Sequence, residues 1–192
     1  MKPFDVAIVF AGGKSTRMKE DKALLPFGKY DTLAAFQYAK LQTLFTDVYL
    51  STKEKKFDFE ANLIQDCYET YSPLVGLLSV FETLDAQEIF VLSVDAPFVD
   101  TDIIRDIMTI DIEKYDAIIA KSPYGIEPLC GRYKRSILPL LQKQYQAQNH
   151  RLHTLLHTAK TYMLDFTDTM AFTNLNHPNE YKEALKRLHS MH

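Results

Sequence analysis

Short apolar runs alternate with helix-period stripes along the first two thirds of this chain. Residues 5–10 are almost continuously apolar, the pattern of a strand covered on both faces. Residues 32–45 carry apolar side chains at Leu33, Phe36, Ala39, Leu41 and Leu44, one stripe of a helix with Thr32 as its cap. Residues 47–50 and 62–65 read as two short strands. Residues 74–84 read as a helix entered through Pro73, and residues 89–94, Ile-Phe-Val-Leu-Ser-Val, as a central strand. A helix over 102–110 behind a Thr101 cap and a strand over 116–120 complete the series.

The character changes after Lys121. Pro123-Tyr124-Gly125 is a turn signal, followed by a strand over 128–133 and a helix over 137–145. A short helix over 150–158, a strand over 161–166 and a terminal helix over 181–189 finish the chain. Strand–helix alternation of this kind predicts an α/β fold, a mostly parallel sheet with right-handed crossovers and helices on both faces. No Gly/Ser-rich linker, repeat or low-complexity segment interrupts it. The 192 residues are therefore expected to form a single domain.

Composition narrows the class. Hydrophobic residues at 46% and charged ones at 24% are ordinary globular usage. A net charge of −3 argues against a general nucleic-acid binder. No run approaches the ~18 apolar residues of a membrane span, and no leader-like apolar segment opens the chain. Cys67 and Cys130 are too few and too isolated for a disulfide framework or a zinc knuckle. These features lead us to expect a cytoplasmic protein with reduced thiols.

Candidate chemistry concentrates where the first strand ends. Phe10-Ala11-Gly12-Gly13-Lys14-Ser15-Thr16-Arg17-Met18-Lys19-Glu20-Asp21-Lys22 joins paired glycines to a basic loop. Glycines without Cβ let backbone N–H groups approach an anion, and Arg17 and Lys22 supply cations for a polyphosphate. The Walker loop needs a glycine five residues before Gly13, and the dinucleotide loop needs three spaced glycines, so the segment is neither. Taken alone it also fits a tight strand-to-helix turn. Asp95, at the end of the best strand and followed by Pro97, faces the same sheet edge. A carboxylate opposite a phosphate loop is best explained by Mg²⁺, which takes one or two carboxylates and completes its shell with phosphate oxygens and water. Its plainer reading is a helix N-cap, a role for which Thr101 and Asp102 compete. Asp66 and the later Ser72-Pro73-Leu74-Val75-Gly76 segment suit a wall for a flat base, although a plain loop explains them too.

With these residues in view, the chain resembles the Rossmann-like nucleotidyltransferases, in the form of the molybdenum cofactor guanylyltransferases. The resemblance rests on Phe10-Ala11-Gly12-Gly13-x-Ser15-x-Arg17-Met18-x-x-Asp21-Lys22-Ala23-Leu24, on Ser72-Pro73-Leu74-x-Gly76 and on Asp95-Ala96-Pro97-Phe98. Glu127-Pro128-Leu129 is similar to the segment before a later strand of that family, and Asn174-x-Asn176-x-Pro178 to its terminal motif. It implies a three-layer fold and transfer of GMP from GTP to the terminal phosphate of molybdopterin, with release of pyrophosphate. It further implies a nucleotide-binding half over residues 1–120 and an acceptor-binding half over 121–192. Phe10, Ala11, Gly12 and Gly13 would contact the nucleotide, Lys22 the phosphates, Asp66 the nucleoside and Asp95 the Mg²⁺. Arg17 and Lys22 would stabilise the leaving pyrophosphate. Ser51 stands near the place of an asparagine that usually contacts the nucleoside; Lys19, Ser72 and His177 replace the usual glycine, glycine and threonine. A monomer is expected, with molybdopterin-handling proteins and apo-molybdoenzymes as further partners.

Other readings stay open at this stage. Cytidylyl transfer to the same pterin, nucleotidyl transfer to a sugar phosphate and a non-catalytic cofactor carrier are the alternatives. His150, His153 and His157 lie at i, i+3 and i+7, but without the carboxylate of a zincin they read as a solvated helix face. Asn149-His150-Arg151 is a candidate for the acceptor pocket. Tyr115, Tyr124 and Tyr133 could stack a pterin or simply pack. The run Lys53-Glu54-Lys55-Lys56 reads as a solvated loop.

Overall fold

A computed structural model describes residues 2–12, 20–66 and 68–190. Gly13, Arg17 and Cys67 lie outside the described residues.

Seven strands form one sheet: β1 (Phe4–Phe10), β2 (Phe45–Thr52), β3 (Asn62–Gln65), β4 (Glu88–Ser93), β5 (Ala117–Ser122), β6 (Gly125–Lys134) and β7 (Thr161–Asp165). Among the described residues six α-helices accompany them: α1 (Leu33–Gln42), α2 (Pro73–Thr83), α3 (Thr101–Thr109), α4 (Leu138–Gln146), α5 (Leu152–Thr158) and α6 (Pro178–Ser190). The strand order is β3-β2-β1-β4-β6-β5-β7. β1 pairs in parallel with β2 and β4, β2 with β3, and β5 with β7. β6 alone runs antiparallel, between β4 and β5.

Strand periodicity explains the three layers. Ala7 and Val9 of β1, Phe90 and Leu92 of β4, and Ile118 and Ala120 of β5 enter one apolar cluster with α1, α3 and α6. Their neighbours Ile8 and Phe10, Ile89 and Val91, and Ala117 and Ile119 enter the other, with α2, α4 and α5. Alternate side chains point to opposite faces, so a strand buried on both sides must be apolar throughout. The expected α/β, mostly parallel, three-layer architecture is met.

Several boundaries differ from expectation. α1 stops at Gln42, because Phe45 already pairs with Phe4 in the sheet. The cap of α3 is Asp100, whose carboxylate accepts from the N–H groups of Asp102 and Ile103 at 3.0 and 2.9 Å, and Thr101 is the first helical residue. β6 begins at Gly125, so Glu127-Pro128-Leu129 lies inside the strand and not before it. α5 begins at Leu152, which leaves His150 in the preceding loop and off the helical face shared by His153 and His157.

Candidate active site

The carboxyl ends of the parallel strands meet at one edge. Phe10 is in register with Ser51 of β2 and Ser93 of β4, and the N–H of Val94 donates to the carbonyl of Phe10 at 3.0 Å. Just beyond this row the chain leaves the sheet at Ala11-Gly12, at Asp66 and at Asp95. Ligands bind outside such an edge in open α/β sheets.

Lys22 and Asp95 come together here although 73 positions apart in the sequence. Asp21 accepts from the N–H of Ala23 and caps a single 3₁₀ turn, Lys22–Leu24, which aims the Lys22 side chain at the sheet edge. The Lys22 ammonium donates to Asp95 Oδ2 at 2.8 Å and to Asn176 Oδ1 at 2.9 Å. Ser93 Oγ donates to Asp95 Oδ1 at 2.6 Å. The pair is only partly open, with side-chain exposures of 16% for Lys22 and 20% for Asp95. That geometry assigns Asp95 to the cleft and leaves the capping role to Asp100.

The loop that carries Asp95 is anchored from below. Gln37 of α1, fully buried, donates to the carbonyls of Ser93 and Ala96, each at 3.0 Å. Lys40, one turn on, donates to the carbonyls of Pro97 and Val99 at 3.0 and 2.6 Å. Burial pushes the Lys40 ammonium down to about 7, a shift that nearby Cys130 and Asp100 oppose. From the other side, the N–H of Leu175 donates to the carbonyl of Asp95 at 2.9 Å. Glu180 closes the start of α6 by accepting from the N–H groups of Asn176 and His177. The terminal Asn174-x-Asn176 motif is thus docked on the Asp95 loop.

Two cavities open to either side of Asp95. The first, about 390 Å³, is lined by Phe10, Ala11, Gly12, Ser51, Asp66, Ser72, Gly76 and Lys22 among others. Asp66 Oδ1 is buried without a hydrogen-bond partner among the described residues. Desolvation raises the pKa of Asp66, opposed by Lys53 and by a hydrogen bond from Ser51. Such a buried carboxylate oxygen can accept a hydrogen bond from a molecule that enters the cavity. Gly76 permits the close fit of α2 onto this edge: a Cβ there would lie 2.7 Å from the Phe10 ring.

The second cavity, about 660 Å³, is lined by Glu127, Leu129, Cys130, His150, Arg151, His153, Phe172 and Asn174 among others. It shares Pro73, Ser93, Asp95 and Leu129 with the first. Burial raises the pKa of Glu127; a hydrogen bond from Ser122 and the charge of His153 oppose this, and Asp95 reinforces it. Cys130 is buried, and burial pushes its thiol well above the usual range, which disfavours the thiolate. The tyrosines proposed for stacking are elsewhere. Tyr133 is fully buried with its hydroxyl on the Pro128 carbonyl, Tyr115 packs on Tyr162, and Tyr124 is exposed at the β5–β6 turn.

Residues 7–162 match the model of the MobA-like NTP transferase domain. The chain belongs to the MobA-like NTP transferase family. It is 35% identical over 183 residues to the molybdenum cofactor guanylyltransferase of Campylobacter jejuni (strain RM1221), covering 94% of this chain and 95% of that protein. The protein of the same name from Helicobacter pylori (strain G27) is 32% identical over 187 residues, covering 94% of this chain and 92% of its own length. Among solved structures, the molybdopterin-guanine dinucleotide biosynthesis protein A of Archaeoglobus fulgidus superposes with a TM-score of 0.83 at 18% identity, covering 96% and 99% of the two chains. The resemblance read from the motifs is met, and the chain is a nucleotidyltransferase of this family.

The described site residues expected from the sequence therefore share one edge: Phe10, Ala11, Gly12, Lys22, Ser51, Asp66 and Asp95. Gly13 and Arg17 lie outside the described residues. Three participants were not foreseen as site residues: Asn176, Ser93 and Gln37. Asn176 was present in a motif, without a role. Gln37 carried a faint signal, a lone amide on an otherwise apolar helix stripe. The Lys53–Lys56 run is not simply solvated. Lys53 donates to the carbonyls of Tyr68 and Glu69 at 2.7 and 2.8 Å and lies 3.7 Å from the centre of the Tyr71 ring.

Among the described residues no helix is long and apolar enough to cross a membrane.

Proposed function

We propose that this chain transfers GMP from GTP to the terminal phosphate of molybdopterin and releases pyrophosphate. The observation that carries the proposal is that two cavities meet at Asp95, one edged by the glycine segment and one by His150, Arg151 and His153. A group-transfer enzyme needs donor and acceptor pockets with a shared wall at the reacting phosphorus. The printed names of the Campylobacter and Helicobacter relatives agree with the guanylyl donor.

Phe10, Ala11 and Gly12 would border the nucleotide, with Asp66 accepting from the nucleoside and Ser51 orienting Asp66. Gly13 and Arg17 keep their proposed roles at the phosphates. An oxygen of the acceptor's terminal phosphate attacks the α-phosphorus in line, and the bond from α-phosphorus to the α–β bridging oxygen breaks. The electron pair leaves with pyrophosphate, so no covalent protein intermediate is required. Lys22 meets the charge that grows on the leaving group, as a point charge on a short turn. Residues 121–192 would supply most of the acceptor pocket, with Arg151 as a cationic partner for an anionic pterin phosphate.

A divalent cation, Mg²⁺ by chemistry, fits Asp95. No cluster of three or more His, Cys, Asp or Glu side chains suited to a metal occurs among the described residues. One carboxylate therefore has to suffice, with phosphate oxygens and water completing the shell, as Mg²⁺ allows. When bound, the ion would neutralise charge on the triphosphate. Asp95 would hold it through the carboxylate that Ser93 orients and Lys22 pairs with. Monomeric action and a cytoplasmic setting complete the proposal.

Pyrophosphate release measured with molybdopterin and each of GTP, CTP, ATP and UTP tests the base. GTP should give the highest kcat/KM. A preference for CTP would replace guanylyl by cytidylyl transfer, and release without molybdopterin would argue for a different acceptor.

A further inference from the structure

Lys56 belongs to a charged run, yet its side chain is only 18% exposed. Its ammonium donates to the carbonyl of Ala11 at 3.0 Å and forms an ion pair with Asp21. Ala11 directly follows β1, and Asp21 directly precedes the turn that carries Lys22. One cation thus ties together the two ends of the glycine-rich segment.

The tie continues toward the reacting centre. Asp21 uses one carboxylate oxygen for Lys56 and the other for the N–H of Ala23. The turn so capped presents Lys22 to Asp95. Lys56 is itself fixed by its surroundings. Thr52 Oγ1 donates to the carbonyl of Glu54 at 3.1 Å, and the buried Phe57 ring lies 5.5 Å from the ammonium. Burying a lysine head requires compensating acceptors, and both acceptors here belong to the frame of the phosphate-binding segment.

We infer that Lys56 is a positioning residue for the triphosphate, clasping Ala11 at the end of β1 to Asp21 and orienting Lys22 through Asp21. This rests on the reading of the cleft as a nucleoside triphosphate site. Lys56 is not assigned a contact with substrate.

Equilibrium binding of a fluorescent GTP analogue, together with kcat and KM for pyrophosphate release, distinguishes the possibilities in wild type, K56M, K56R, D21N and K56M/D21N. Loss of these charge-assisted bonds in K56M should weaken binding by about 10-fold and lower kcat/KM by at least as much. K56R should recover most of the loss, because arginine can still donate to both partners. D21N keeps a capping side chain but removes the ion pair, and should reproduce the K56M defect. The double variant should be no worse than either single one, since both act through the same tie.

Wild-type binding and turnover in K56M would overturn the inference. So would effects that multiply in the double variant, which would mean that Lys56 meets the phosphates independently of Asp21. A melting temperature that falls while binding by folded K56M stays normal would reduce Lys56 to a structural residue and also overturn it. If K56M fails to fold, D21N decides: natively folded D21N with wild-type nucleotide affinity counts against the clasp. If the wild type prefers another nucleoside triphosphate, the guanylyl reading falls, and the clasp is judged with the same variants on that nucleotide.

Discussion

Asp95→Ala should lower kcat for pyrophosphate release by about 10²–10³-fold, the usual loss when one preorganised electrostatic group at a reacting centre is removed. The protein should remain folded. The Asp95 backbone is held by Leu175 and its flanking carbonyls by Gln37, and none of these bonds uses the carboxylate. Removal takes the Asp95 carboxylate away from the Lys22 ammonium, which keeps its bond to Asn176. GTP affinity measured without metal should rise rather than fall, because removing the carboxylate relieves its repulsion of the triphosphate. A variant with full turnover would dissociate Asp95 from the metal and from the reaction. It would also revive the carrier alternative, which needs binding but no chemistry.

Lys22→Met should be comparably damaging for a different reason. Methionine retains most of the stem volume but leaves Asp95 partly buried, with Ser93 as its remaining side-chain donor among the described residues. The leaving pyrophosphate loses its point charge, so kcat/KM should fall by about 10²–10³-fold. Lys22→Arg should restore only part of it. The guanidinium is longer and planar, while the present geometry is a compact ammonium between Asp95 Oδ2 and Asn176 Oδ1. Steady-state kinetics of the three proteins, with circular dichroism to confirm folding, check this. Equal activity of the methionine variant and the wild type would remove Lys22 from the machinery.

The two effects should not add fully. Lys22 and Asp95 touch, so the double variant is expected to lose less than the product of the single losses.

Much of this site was legible in the sequence, because its strongest elements are locally encoded. β1 and β4 are short apolar runs buried on both faces, and each is followed within a few residues by a strand breaker, Gly12 and Pro97. The edge shared by Gly12, Asp66 and Asp95 follows from parallel strands starting at the same side. What escaped is long-range or depends on burial. Asn176 reaches Lys22 because the chain before α6 returns to the sheet edge, where Leu175 bonds Asp95 and the Tyr181 hydroxyl of α6 donates to the carbonyl of Pro26, and spacing does not encode that return. Lys56 and Lys53 look like solvent-facing charges, but both ammonium groups end on backbone carbonyls. The histidine spacing suggested a shared helical face, but the chain bends at Asn149, whose side chain accepts from the N–H of Arg151, and α5 starts only afterwards. The antiparallel β6 was signalled by Pro123-Tyr124-Gly125, a hairpin turn whose Gly125 has a positive φ of 133°. The alternating strand–helix pattern of the first half outweighed that signal.

β6 also accounts for the second cavity. Inserted between β4 and β5, it brings Glu127, Leu129 and Cys130 to the cavity beside Asp95, and its Leu129 borders both cavities. A parallel strand in its place would need a long crossover and would leave no such hairpin at the edge.

The most direct test of the account follows the fate of the nucleotide phosphates. GTP labelled at its α-phosphate, or separately at its γ-phosphate, is incubated with the protein, molybdopterin and Mg²⁺, and the products are separated. The account predicts that the α label appears on the pterin as a guanine dinucleotide and the γ label in pyrophosphate. Label from the γ-phosphate on the pterin, or α label released as free GMP with no pterin product, would contradict it.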